Sequence, residues 1–312
     1  MQSHVRANRG ILVLAIWMAV ASNVLSVVLI LLGFDFFVTV GVLQVVAFGL
    51  PFVVYLLVTR QSPRKVLTWR GMSWKNTLVV TVLSFLLIPA VHLLAFVTSF
   101  VFAPVTMDIN FTAFPLWLTL LVIGVFPSVF EEIWFRGIMY TEYQSSGIPL
   151  RKIALVTALF FGLMHMNFHQ AIYTAVFGFV WIYMLYYTRS ILAPMLAHFI
   201  NNGLTVVLQY VDAYEHWYDG LWANPLMFLL IIGGITLVTL PLVYFCMKLL
   251  RKHHANTEPE VAPEMTPEPE PAFEDEMIPT PAAPRAFTKS LWAAMGVFLF
   301  MCVVIELILR FS

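Results

Sequence analysis

The run from Phe126 to Arg136 reads Phe-Pro-Ser-Val-Phe-Glu-Glu-Ile-Trp-Phe-Arg and places two adjacent glutamates inside an apolar stretch of the chain. A charged side chain near the centre of a membrane helix costs about 3 kcal/mol, so it is rarely retained without a role. Glu131 and Glu132 are therefore the first candidates for functional residues.

The composition around this run indicates a membrane protein. The chain is 61% hydrophobic and 11% charged, with a mean hydropathy of +0.87, whereas a soluble domain is roughly half apolar and a quarter charged. A membrane span needs about 20 mostly apolar residues. We therefore expect an all-α, polytopic transmembrane helix bundle with eight core spans and one C-terminal span. The expected spans are 10–33, 36–58, 77–103, 114–139, 153–166, 171–188, 191–210, 224–247 and 290–309.

The distribution of basic residues predicts the orientation of the spans. With the N-terminus in the cytoplasm, all but two of the 17 Lys and Arg residues lie on the cytoplasmic side; the exceptions are Arg136 and Arg310. Cytoplasmic loops of membrane proteins carry such an excess of basic residues. We expect a multi-pass protein of the cell membrane whose C-terminus lies outside.

One segment does not fit the apolar pattern. Residues 255–287 contain eight prolines and eight acidic residues. Such a composition does not bury a core and is typical of a disordered, partly extended linker. We expect this linker to be cytoplasmic and to connect the ninth span to the other eight.

Helical geometry separates the roles of the two glutamates. At 100° per residue, Arg136 lies about 40° from Glu132 and about 140° from Glu131. The spacing of Glu132 and Arg136 is also the favourable i,i+4 order for an ion pair. Arg136 should therefore neutralise Glu132 and leave Glu131 without a local cation, as suits a general base. The alternative is that both glutamates only hold helices together.

Polar residues recur in two later spans. His165 lies in one of them, after a Gly162 that would allow close helix approach. His198 and Asn202 share a helix face in another, whereas Asn201 points about 100° away from Asn202 and is expected to contact another helix. Taken alone, each of these residues could simply form a hydrogen bond between helices.

Two further residues receive a structural interpretation. His169 would pair with His165 as a metal site only if one helix continued through both, and we expect it at the outer interface instead. Trp181 is expected to be an ordinary packing or lipid-facing side chain.

The depths of the polar residues agree. At 1.5 Å per residue, Glu131 lies about 15 Å and His165 about 18 Å from the cytoplasmic ends of their spans. His198 and Asn202 lie about 10–17 Å from theirs. A carboxylate, two imidazoles and an amide at one depth indicate a buried hydrolytic site that is open to the cytoplasm.

These residues resemble the motifs of a known family. The runs Glu131–Arg136, Phe161–His165 and His198–Asn202 match EExxxR, FxxxH and HxxxN/D in order, on separate spans. These motifs mark the CAAX-prenyl-protease and bacteriocin-processing (CPBP, or Abi) family of intramembrane endopeptidases. The resemblance covers residues 77–210.

The resemblance implies a role for each matched residue. Glu131 would activate water with His165 beside it, His198 and Asn202 would hold the oxyanion or line the site, and Glu132 with Arg136 would be a supporting ion pair. The family name implies a metalloprotease. Glu131, His165 and His198 could form a zinc site with one open position, or the same groups could activate water without metal.

The expected domain organisation follows from these interpretations. Residues 1–76 would form an N-terminal transmembrane pair with a basic loop, 77–250 the protease core, 251–289 the acidic linker and 290–312 the C-terminal span. The expected partners are the lipid bilayer and a peptide or protein substrate, without nucleic acid. The alternatives are a non-catalytic partner-binding or bacteriocin-immunity protein and a proton-coupled transporter.

Overall fold

The computed structural model describes residues 2–104, 111–257 and 285–311, and this part of the chain contains helices but no strand. Ten longer helices within these described ranges form the bundle. They are α1 (Ser3–Leu31), α2 (Phe36–Thr59), α3 (Trp74–Ser99), α4 (Leu116–Gln144), α5 (Leu150–Leu163), α6 (Phe168–Thr188), α7 (Leu192–Gln209), α8 (Asp212–Trp222), α9 (Pro225–Asn256) and α10 (Lys289–Phe311). The prediction of an all-α bundle is confirmed.

Seven of these helices are long and apolar enough to cross a membrane, and they correspond to seven of the nine predicted spans. The other two predicted spans are helical as well, but α5 has only 14 residues and α7 carries the polar residues of the third motif. The chain is therefore a multi-pass membrane protein in which α5 is shorter than an ordinary span and α7 carries more polar residues than most. Both contribute to the candidate site.

Helix α4 lies at the centre of the bundle. All ten residues from Glu131 to Tyr140 are buried, and a helix that is buried all round belongs in a core. The α-helical turns of Phe126–Glu132 are flanked by π-helical turns at Leu120–Val125 and Ile133–Met139. Such turns widen a helix locally and are frequent at functional sites.

Helices α5 and α6 pack closely against each other. A Cβ atom added to Gly162 would lie 2.4 Å from the carbonyl oxygen of Ala171 and 3.0 Å from Cβ of Ala175. Only glycine leaves room for this approach. The predicted role of Gly162 is confirmed.

The turn between α5 and α6 separates the two histidines near it. Helix α5 ends at Leu163, Met166 has a left-handed backbone with φ of 52°, and the side chain of Asn167 caps α6 by accepting from the backbone N–H of Gln170. His165 therefore lies in the turn, whereas His169 lies in the first turn of α6. Nε2 of His169 lies 2.9 Å from the carbonyl oxygen of Ala95. Because the helix ends between them, His165 and His169 do not form a pair on one helix.

The C-terminal helix α10 is an integral part of the bundle. It packs against α1 and α5, and its inner face is the buried stripe Leu291, Ala294, Phe298 and Cys302. At its start, Nδ2 of Asn8 donates to the carbonyl oxygen of Ala286 at 2.9 Å. At its end, Glu306 pairs with Arg310 at 2.6 Å, as their i,i+4 spacing predicts, and also accepts from the backbone N–H of Ala103 at 3.1 Å.

The helix before the acidic segment extends further than the predicted linker boundary. Helix α9 continues to Asn256, beyond the predicted linker start at 251. The predicted linker otherwise falls mainly on residues 258–284, which lie outside the described residues.

Candidate active site

The ion pair predicted within the first motif is present. NH1 of Arg136 donates to Oε1 of Glu132 at 2.9 Å, and both side chains are fully buried. NH2 of Arg136 donates to the backbone carbonyl of Gly178 on α6 at 3.1 Å. The guanidinium therefore joins α4 to α6 as well as neutralising Glu132.

Two aromatic rings enclose the guanidinium of Arg136. Its Cζ atom lies 4.2 Å from the ring centroid of Phe161 and 5.2 Å from that of Trp181. Both distances are within the range of cation–π attraction, which is strongest where water is excluded. These contacts stabilise a cation that would otherwise be costly to bury.

His198 contacts the same glutamate. Its Nδ1 atom lies 2.9 Å from Oε1 of Glu132, and its ring lies against that of Trp181, with centroids 4.7 Å apart and ring planes tilted by 31°. Trp181 is 3% exposed, so the lipid-facing option for this residue is wrong; it packs, but against two members of the site. Glu132 and Trp181 together determine the orientation of the His198 ring.

Glu131 differs from its neighbour in having no cation. It is 6% exposed, and its Oε2 atom has no hydrogen-bond partner although it is buried. Within the described part of the chain it forms no ion pair, because Arg136 points to Glu132. A buried polar atom without a partner is costly and requires an explanation.

His165 is held by the protein through one of its two ring nitrogens. Its Nδ1 lies 2.9 Å from the carbonyl oxygen of Phe161. A carbonyl only accepts, so Nδ1 carries the proton and Nε2 keeps its lone pair in the neutral ring. This hydrogen bond selects a tautomer in which Nε2 can accept a proton or act as a ligand.

Asn202 is held by α4 and by its own neighbour. Its Nδ2 donates to the carbonyl oxygen of Ile123 in the first π-helical segment at 3.1 Å. Its Oδ1 accepts from Nδ2 of Asn201 at 3.0 Å. The expectation that Asn201 points away toward another helix is not met. Its side chain lies along α7 instead and holds Asn202 in place through this hydrogen bond.

Phe161 joins the three motifs. Its ring contacts those of His165 and His198 at centroid distances of 5.4 and 5.9 Å, in addition to Arg136. In the part of the chain that is described, no direct hydrogen bond links Glu131 to either histidine or to Asn202. Arg136, His165 and His198 thus lie around the ring of Phe161, and Glu132 binds Arg136 and His198 directly.

A zinc site is not preformed here. Among the described residues, no group of three or more His, Cys, Asp or Glu side chains is placed to hold a metal ion together. The proposed ligands Glu131, His165 and His198 therefore do not fit a closed metal site in this arrangement, and no chemical step below depends on a metal.

Sequence reasoning did not identify the α6 face that completes the site. Gly178 supplies a carbonyl oxygen to Arg136, and an added Cβ on Gly178 would lie 3.2 Å from NH2 of that arginine. Gly178 and Trp181 are three residues apart and share a helix face. The three-residue spacing shows from sequence that Gly178 and Trp181 share a face of α6. The sequence of α6 does not indicate that this face packs against the motifs.

Comparisons with known proteins agree with the motif assignment. Residues 112–204, which contain all three motifs, match the family described as type II CAAX prenyl endopeptidase Rce1-like. The putative membrane peptidase YdiL of Bacillus subtilis (strain 168) is 28% identical over 122 residues, which are 38% of this chain and 47% of the relative. The chain thus spans about half the length of that curated relative. No solved structure matches the chain. Over residues 112–204 the chain is therefore similar to this CAAX-protease family, and it carries the three motifs in order.

Proposed function

We propose that this protein is an intramembrane endopeptidase that hydrolyses peptide bonds of a membrane-associated protein or peptide. The observation that carries the proposal is the contrast between the two adjacent glutamates. Oε1 of Glu132 is bound by Arg136 and His198, whereas Glu131 has no hydrogen bond or ion pair among the described residues; Oε2 is buried and unpartnered in both glutamates. An acceptor kept free at such a cost is what a general base requires.

In the proposed reaction, Glu131 removes a proton from a water molecule. The hydroxide attacks the carbonyl carbon of the scissile peptide bond and forms a tetrahedral oxyanion. The carbon–nitrogen bond then breaks, and the leaving amine takes up the proton that Glu131 received. Transfer of a proton by a positioned carboxylate contributes roughly 10²–10⁴-fold to the rate of such reactions.

His198 and Asn202 are the proposed donors to the oxyanion. With Nδ1 of His198 on Glu132, Nε2 is the nitrogen left to face the substrate. When both ring nitrogens carry protons, Nε2 donates and Glu132 is the counter-ion. Asn202 uses one Nδ2 hydrogen for Ile123 and keeps the other. Donors held in place before the reaction are the most effective kind.

His165 is the proposed assistant of Glu131. Its free Nε2 accepts a hydrogen bond from the attacking water, which orients that water, while Nδ1 is held by Phe161. This scheme requires no metal, although the family name implies one. Zinc bound by Glu131, His165 and His198 after a rearrangement remains the alternative, and metal analysis decides between them.

The proposal includes the membrane orientation. We propose that the N-terminus is cytoplasmic, that the substrate enters from the cytoplasmic side and that the C-terminus lies outside the cell, because of the asymmetric distribution of Lys and Arg. The Rce1-like description of the family refers to prenylated CAAX substrates. A prenyl group on the substrate is not part of this proposal.

The test is a cleavage screen with the purified full chain in proteoliposomes. A library of membrane-anchored peptides is incubated with wild-type protein, and new termini are identified by mass spectrometry. We expect cleavage by the wild type and loss of about 99% or more of it in Glu131→Gln. The control is Asp219→Asn, which removes an exposed carboxylate on α8 and should cleave like the wild type.

The same screen separates the alternatives. Equal cleavage by wild type and Glu131→Gln would contradict the assignment of Glu131. No cleavage of any peptide by wild type, together with tight retention of a partner protein, would favour the non-catalytic interpretation. Proton uptake coupled to solute flux in the same vesicles would favour the transporter.

A further inference from the structure

An apolar groove lies between α1 and α2, on the side of the bundle that faces lipid. It encloses about 420 Å³. Its outer walls include side chains that are exposed on the bundle surface, Val13 at 59%, Leu50 at 48% and Val58 at 78%. The groove therefore opens sideways toward the bilayer rather than toward water.

The groove continues along α1. A second cavity of about 370 Å³ shares Val13 and Trp17 with it and extends to Val20 and Ala21. From Arg9 to Val20, helix α1 rises about 16 Å at 1.5 Å per residue. One leaflet contributes about 15 Å to the hydrocarbon core of a bilayer. The combined groove thus has the length of one leaflet.

The floor of the groove touches the helix that carries the first motif. Gly10, Tyr55 and Trp134 form it, and Trp134 lies two residues after Glu132. The indole N–H of Trp134 donates to the carbonyl oxygen of Phe48 at 3.0 Å, and its ring meets that of Tyr55 edge to face at 6.0 Å. The lack of a side chain at Gly10 keeps this floor open.

One end of the groove is cationic. Arg6 and Arg9 both line it. Arg6 binds Glu142 through NH2 at 2.9 Å, but its buried Nε atom has no partner. Arg9 is exposed and forms no ion pair within the described part of the chain. Among the residues that the structure describes, Glu142 is the only carboxylate that contacts either arginine, and Arg6 already binds it, so the net charge at this end is positive.

We propose that this groove binds an anionic phospholipid, with one acyl chain between α1 and α2 and the phosphate on Arg6 and Arg9. An apolar slot one leaflet long with cations at the head-group end matches that ligand in shape and charge. This site is separate from the proposed catalytic residues and does not depend on their function. Because Trp134 of α4 lines the groove, a bound lipid would contact the helix that carries the first motif.

Native mass spectrometry of the full chain in detergent tests the proposal. The probes are phosphatidylglycerol, phosphatidylcholine with the same acyl chains, and inorganic phosphate alone. We expect tighter binding of phosphatidylglycerol than of phosphatidylcholine, and no competition by phosphate. Arg9→Gln should reduce the phosphatidylglycerol affinity about fivefold, the typical contribution of one basic residue near a lipid surface.

Matched variants identify the groove as the site. Arg64→Gln removes an exposed basic residue outside it and should not change the affinity. Val13→Trp fills the groove and should abolish binding of either lipid. Its control is Val27→Trp, at a similarly exposed position of α1 outside the groove, and this variant should bind lipid like the wild type. Equal binding of the two lipids, equal effects of Arg9→Gln and Arg64→Gln, or full competition by phosphate would overturn the proposal.

Discussion

Nδ1 of His198 lies 2.9 Å from Oε1 of Glu132, and this oxygen also accepts from Arg136 at the same distance. A single carboxylate oxygen therefore joins the first and third motifs, which are 66 residues apart at this contact. Glu132 is thus more than the partner of Arg136, because it also positions the imidazole proposed to face the substrate.

The two glutamates should respond differently to substitution. Glu132→Ala leaves Arg136 buried without a counter-ion, and breaking a buried pair in this way costs about 4 kcal/mol. Glu131→Ala removes no ion pair and should leave the free energy of unfolding unchanged or raise it. Denaturant titration in detergent measures both. A larger loss of stability in Glu131→Ala would contradict the structural roles assigned here.

Trp181 should affect catalysis through His198. Trp181→Leu removes the ring that packs against the imidazole and one ring over Arg136, and we expect at least a tenfold loss of kcat with little change in KM. The cost in stability should be about 3 kcal/mol, as for large-to-small changes in a core. Trp117→Leu is the control, because Trp117 is 67% exposed. If both variants retained full kcat, the positioning role of Trp181 would be refuted.

Glycine-to-alanine substitutions should have opposite signs at two positions. Gly162→Ala places Cβ 2.4 Å from the carbonyl oxygen of Ala171, so α5 and α6 must separate at a cost of about 1–3 kcal/mol. Gly220 in α8 has no neighbouring atom within 4 Å of an added Cβ. Gly220→Ala should therefore stabilise the protein by about 0.5–1 kcal/mol, the helix preference of alanine over glycine. A Gly162→Ala variant at least as stable as the wild type would argue against the close α5–α6 approach.

Helix α10 should stabilise the bundle. Phe298 is fully buried and its ring contacts that of Phe160 on α5, with centroids 6.4 Å apart. Phe298→Ala should cost about 3–5 kcal/mol, whereas Phe300→Ala should cost little because Phe300 is 66% exposed. The melting temperatures of the two variants distinguish this role from that of a loosely tethered helix, for which both changes would be neutral.

Metal analysis tests the hydrolytic scheme. Because the described side chains do not form a closed metal site, we expect the purified wild type to contain less than one zinc per chain and to cleave peptides in the presence of a chelator. Near-stoichiometric zinc that is lost in both Glu131→Ala and His165→Ala would overturn the metal-free scheme. A cobalt-substituted sample with a histidine-dependent absorption band would do the same.

Local chemistry made part of the site predictable. The Glu132–Arg136 pair follows from the i,i+4 geometry of any helix, and the need for Gly162 follows from the requirement that two helices approach closely. The same local argument left Glu131 without a cation. Each of these inferences spans at most a few residues, over which helix geometry fixes the relative directions of side chains.

Contacts between helices cannot be predicted from local helix geometry in the same way. The sequence predicts only that Trp181 packs or faces lipid and that Asn201 points away from Asn202, and it does not indicate that α10 packs against α1 and α5. These outcomes depend on how each helix is rotated about its axis and on which neighbour covers it. A nearly uniform apolar sequence carries little information on that rotation, because lipid-facing and buried side chains are alike in character.

The sequence alone therefore determined the class of the protein, its all-α membrane architecture and the polar residues of the candidate site, because charge in an apolar span is costly and helix geometry is local. Only the tertiary structure decided that Glu132 holds both Arg136 and His198, that Phe161 and Trp181 enclose them, and that α10 completes the bundle. The physical reason is that side-chain packing between distant segments sets those contacts, and packing depends on the whole set of neighbours at once.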